Sequence, residues 1–165
     1  MFSTLTPWTW DDFTSPVTDM IRTVSWQGGY CRRQDLFPIG PPPATSPSFQ
    51  VAFSPDNNGR PPFYASLYGV TFTPAETREQ FAFNSFWNEL DCVYYDYTAV
   101  LPTPFPVTAG TRYWLLIRGQ IGGPSDSPWG WRAGTQDDGM SAHGTAHQEN
   151  IVMLASDLAF SLSSR

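Results

Sequence analysis

The sequence predicts an all-β fold, an antiparallel, jelly-roll-like β-sandwich of about eight strands with little helix. Three observations predict it. Aromatic residues make up 16% of the chain and charged residues only 15%, beside sixteen prolines and thirteen glycines. That mixture of ring-rich strands and turn formers is typical of compact β domains. Apolar and polar residues alternate in short runs separated by turn chemistry. No segment sustains the 3.6-residue period of an amphipathic helix. With 165 residues and no linker or internal repeat, the expectation is one domain over 1–165.

The elements follow in order. IRTVSWQGGY (21–30) alternates, with Val24 and Trp26 on one face. PIGPPPATSP (38–47) can be neither helix nor central strand, because proline removes a donor and fixes φ, so it is a surface loop. FQVAF (49–53) ends in PDNNG, a hairpin turn. FYASLYGVTF (63–72) has strand character throughout, while FAFNSFWNEL (81–90) leaves helix or strand open. VYYDYTAVL (93–101) alternates, AGTRYWLLIRG (109–119) leaves a glycine turn for a buried strand, and WGW (129–131) and DLAFSL (157–162) complete the set. The expected core is Val24, Val51, Phe53, Leu115, Ile117, Leu158 and Phe160.

Cys31 and Cys92 are the two cysteines. Both border aromatic strand-like runs. Either they are bridged, which would add roughly 4 kcal/mol by closing a loop of about 60 residues, or they are two separate small buried side chains. Export favours the bridge.

Several strings together resemble a widespread group of uncharacterised bacterial secreted β-sandwich modules. They are DDF (11–13), W-x-G-G-Y (26–30), F-x-V-x-F-x-x-D-N-N-G-x-P (49–61), YDYTAVLPTPFPVTAGTRYWLLIRG (95–119), WGW and DLAFSL. Such modules occur in surface proteins that carry a sorting or anchoring signal. The resemblance implies a jelly-roll-like sandwich and an extracellular setting, and it implies no activity. MFSTLTPWTWDDF has neither a basic start nor a long apolar run, so it does not read as a signal peptide. The expectation is an exported chain whose leader lies outside this sequence.

Charge narrows the partners. All nine basic residues are arginine and the formal net charge is −6, so the basic footprint of nucleic-acid binding is missing. No apolar stretch approaches the length of a membrane span. A glycan or a surface protein is the expected partner; the oligomeric state stays open.

Three constellations could carry function. Trp129 and Trp131 share one strand face, as Trp8 and Trp10 would, and a sugar's apolar face stacks on such indoles. Arg132, Gln136, Asp137 and Asp138 would supply hydrogen bonds, with the 134–148 loop forming the site wall and Asp137 and Asp138 at its rim. The competing reading places the tryptophans in the core. Asp11, Asp12 and Asp157 are candidate ligands for a structural Ca²⁺ tying the chain ends together, against a reading of the same residues as turn and cap aspartates. His143 and His147, with Glu149 nearby, have the spacing of a metal pair only if helical, and HExxH is absent. Glu76, Glu79, Glu89 and Glu149 are candidates for a glycosidase carboxylate pair. G-x-S-x-G, P-loop and Rossmann strings are absent. The leading expectation is therefore a non-catalytic, extracellular carbohydrate-binding module. The alternative is a structural or adhesive module of a cell surface, appendage or virion making protein contacts. A small metal-dependent or glycoside-acting enzyme is the distant third.

Overall fold

The computed structural model describes residues 8–33, 46–62, 65–87, 90–120, 129–134, 139–144 and 151–165. Among the described residues, eleven strands form two antiparallel sheets: β1 (Trp8–Thr14), β2 (Asp19–Arg33), β3 (Ser48–Pro55), β4 (Tyr68–Phe72), β5 (Thr77–Trp87), β6 (Leu90–Val107), β7 (Arg112–Gln120), β8 (Trp129–Trp131), β9 (Ser141–Gly144), β10 (Ile151–Leu154) and β11 (Phe160–Ser163). The first sheet runs β10-β9-β1-β7-β3-β4; the second runs β11-β2-β6-β5, with β8 also paired to β2. One 3-10 turn, Pro74–Glu76, is the helical element among the described residues.

Strand alternation builds the core between the sheets. Phe49, Val51 and Phe53 of β3 and Leu115 and Ile117 of β7 meet Val24, Trp26, Tyr97 and Phe105 from the other sheet. Phe53 and Phe105 stack with centroids 4.4 Å apart. Of the seven expected core residues, six are buried and Phe160 is half-buried against the same cluster. The 81–90 segment, left open above, is strand over most of its length as β5.

Two expectations change. Of the 63–72 stretch the structure describes 65–72, and there β4 begins only at Tyr68, with the amide of Leu67 just before it donating to the Phe53 carbonyl at 2.8 Å. The N-terminal WTWDDFT and part of the 134–148 loop are strands, β1 and β9, so the strand count exceeds eight. The Pro-rich stretch falls mostly outside the described residues.

Within the β3–β4 connection the PDNNG stretch is a turn, as expected. Asn58 has φ 55° and Gly59 φ 78°, and the Gly59 amide donates to both Asp56 carboxylate oxygens (3.2 and 3.0 Å). Short polar or glycine residues tolerate this left-handed backbone.

Cys31 faces Cys92 directly across β2 and β6, Cα atoms 4.1 Å apart, and the two form a disulfide. Between the open readings, the bridge is correct.

Candidate functional site

The faces of the first sheet are unequal to what alternation alone provides. In β3, Phe49, Val51 and Phe53 point into the sandwich, so Gln50, Ala52 and Ser54 point out. In β7, Leu115 and Ile117 point in, and Trp114, Leu116 and Arg118 point out. β1 presents Trp8 and Trp10 on the same outer face, since Trp10 pairs with Leu116.

One row of that face runs across all six strands by direct pairing: Met153, Ala142, Trp10, Leu116, Ala52 and Gly69. It is apolar throughout. Trp10 (3% exposed) and Trp114 (0%) are buried there, in a cluster separate from the main core. The Trp114 indole N–H donates to Asp56 Oδ1 of the turn at 2.8 Å, which fixes that ring at one end of the floor.

Above this floor lies a cavity of about 490 Å³, a size common for small-ligand sites. Trp8, Gln50, Ala52, Ser54, Gly69 and Thr71 line it, with Pro62 and Ala65 at its wall. Trp8 is half-buried and packs on Trp10 at 5.8 Å, while the Arg118 guanidinium lies over the Trp8 ring, 5.6 Å from its centroid. The depression exists because Ala52 and Gly69 face each other across β3 and β4, two minimal side chains among larger ones. A Cβ added at Gly69 would meet only Ser66 Oγ, at an ordinary 3.7 Å.

The residues expected to bind are distributed differently. Trp129 is core: it is 6% exposed and packs on Phe49 at 5.1 Å and Tyr97 at 6.2 Å. Its ring lies over Gly28 and Gly119, where added Cβ atoms would come within 2.2 and 2.9 Å of it. Trp131 points the same way but is half-buried; it packs on Phe160 at 5.9 Å and its indole N–H donates to the Ala159 carbonyl at 3.0 Å. The two tryptophan pairs belong to opposite sheets and line no common patch. Arg132 belongs with the second sheet, its guanidinium 4.9 Å from the Phe83 ring centroid and 5.7 Å from that of Tyr94 and bonded to the Gln27 side-chain oxygen. Gln136, Asp137 and Asp138 lie outside the described residues, as do His147, Glu89 and Glu149. His143 Nδ1 lies 3.5 Å from the Thr9 hydroxyl. Glu76 caps the 3-10 turn, accepting the Thr73 amide at 2.8 Å and hydroxyl at 2.7 Å, and these bonds hold its carboxyl below the usual range.

The three aspartates considered for calcium do converge. Asp11, Asp12 and Asp157 line one groove of about 590 Å³ between the β1–β2 turn and β11. Asp11 Oδ2 accepts the Leu158 amide at 2.7 Å, and Asp157 Oδ1 accepts the Gly139 and Met140 amides at 2.9 and 3.1 Å. Asp12 Oδ2 lies 3.2 Å from Arg112 Nε. The Asp11 bond ties β1 to the segment before β11, the Asp157 bonds tie that segment to the residues before β9, and the Asp12 pair ties β1 to β7. Among the described residues no group of three His, Cys, Asp or Glu side chains is arranged to hold a metal.

Inside the sandwich, burial pushes the Tyr30 and Tyr97 phenols well above their ordinary value, reinforced by neighbouring negative charge on Glu79. Both remain neutral packing groups at physiological pH.

Residues 6–162 match the family described as Domain of unknown function (DUF7901). The chain belongs to that family. No curated protein and no solved structure matches the chain. The sequence signal missed for the outer face was the unbroken apolar run Tyr113–Ile117. A strand apolar at every position is buried on both faces, so a second packed surface had to exist outside the sandwich core.

Proposed function

We propose that this chain is a non-catalytic carbohydrate-binding module using the outer groove of its six-stranded sheet. One observation carries the reading. The cavity has a firm apolar floor, a half-buried indole at its side and amide and hydroxyl groups at its margin, placed on a rigid sheet. Apolar surface with a few placed polar groups is what a pyranose, apolar on its faces and hydroxylated at its edge, requires. The disulfide marks an oxidising compartment. No helix among the described residues is long and apolar enough to cross a membrane. An exported module of a bacterial surface protein is the setting we propose.

Affinity electrophoresis through polysaccharide-containing gels tests it. Trp8→Ala should weaken retention about fivefold, since one aromatic contact is worth roughly a kcal/mol. Gly69→Leu should abolish retention by filling the groove, with the thermal midpoint unchanged. Wild-type retention that survives both substitutions rejects the groove as the site.

A second reading, a module making protein contacts, draws on Phe81 and Phe86, both exposed on β5 at the rim of the second sheet. Concentration-dependent light scattering, abolished by Phe86→Ser, would favour it.

Calcium at the Asp11, Asp12 and Asp157 groove is an accompanying proposal, supported by their convergence on one cavity. A chelator should then lower the thermal midpoint and millimolar calcium restore it, because a ligand of the folded state adds stability by mass action. An unchanged midpoint leaves the backbone amides as the tie between the chain ends.

A further inference from the structure

Resting on the glycan reading of the outer groove, we infer that its ligand is an uncharged polysaccharide and that acidic glycans are rejected. Among the described residues that line the cavity there is no ionisable side chain; the polar groups are the Gln50 amide and the hydroxyls of Ser54, Ser66 and Thr71. The Ser66 hydroxyl donates within its own turn, to the Tyr68 carbonyl, so Gln50, Ser54 and Thr71 are the groups that face a ligand.

Neutral donors and acceptors pair with sugar hydroxyls without a charge penalty. A uronate or sulfate in the same groove would shed hydration over the Trp10, Leu116 and Ala52 floor and find no opposite charge in the lining. An unpaired charge moved onto such a surface is costly. The formal net charge of −6 adds a repulsive field against any polyanion approaching the molecule. Arg118 is not a lining residue but borders the groove: it pairs with Gln50 across β3 and β7, and its guanidinium lies over the Trp8 ring, where the indole face engages its charge.

The full chain is tested by isothermal titration against soluble β-glucan, xylan and mannan as neutral probes, and polygalacturonate, alginate and heparin as anionic ones. Each is measured at low ionic strength and at about 1 M salt, where the screening length falls to roughly 3 Å. The expected result is binding of at least one neutral polymer, changed less than about twofold by salt. Gly69→Leu should remove it with the fold intact by circular dichroism. An anionic polymer that binds more tightly than every neutral one, and is released by salt or by Arg118→Gln, overturns the inference while leaving a glycan site in place. Binding of no polysaccharide in either class overturns the glycan reading and this inference together.

Discussion

Trp129→Ala should cost about 3–5 kcal/mol of folding stability, measured as a shift of the urea midpoint with an unchanged slope. The ring fills the space between the sheets, against Phe49 and Tyr97 and over Gly28 and Gly119. Truncation penalties grow with the cavity that remains, and here the neighbours cannot collapse inward. Both glycines lack side chains to offer, and each belongs to a paired strand whose ladder holds the backbone in place. Trp131→Ala is the internal control. That ring is half-buried and loses one hydrogen bond, to the Ala159 carbonyl, so about 1–2 kcal/mol is expected. Trp8→Ala, on the opposite outer face, should leave the midpoint nearly in place while weakening glycan retention. If Trp129→Ala cost less than Trp131→Ala, the assignment of Trp129 to the core would be wrong.

The same residues show how far the sequence could be read. Spacing at i and i+2 says that Trp129 and Trp131 share a face, and likewise Trp8 and Trp10. It does not say which face. Sidedness is set by what stands opposite: Gly28 and Gly119 open a space for Trp129 inside, whereas Leu116 and Ala142 flank Trp10 outside. Those partners come from distant strands, so the decision belongs to the fold and not to the local pattern. β3 and β7 were legible because their inward residues are large and apolar at every second position. β1 was not, because Asp11, which is 1% exposed, sits in mid-strand where a carboxylate normally signals a turn. Its bond to the Leu158 amide across 147 positions is what permits that burial. β9 and β10 were hidden by shortness, four residues each, and β9 also by the small side chains of Ser141, Ala142 and Gly144. The groove itself follows from pairing register: Ala52 opposite Gly69 is a contact between strands, invisible until both are paired.

Removing the disulfide is the other large perturbation. Cys31→Ser with Cys92→Ser should lower stability by about 4 kcal/mol, the loop-closure value for a sequence separation of 61 residues. The argument rests on the unfolded chain, which the bridge deprives of conformations; the folded ladder loses little, because β2 and β6 are held together by pairing along almost their whole length. The loss should therefore appear mainly as a lower denaturation midpoint, with native circular dichroism retained at low temperature. Thiol titration of the unfolded, unreduced wild type should find no free thiol. Glycan retention by the folded double variant should match wild type, since the bridge lies in the second sheet and the groove lies on the outer face of the first. A fall in retention without a fall in midpoint would mean that the two sheets are coupled through more than shared stability. A midpoint unchanged by reduction would instead place the stabilisation in the β2–β6 ladder alone and leave the bridge as a mark of the oxidising compartment.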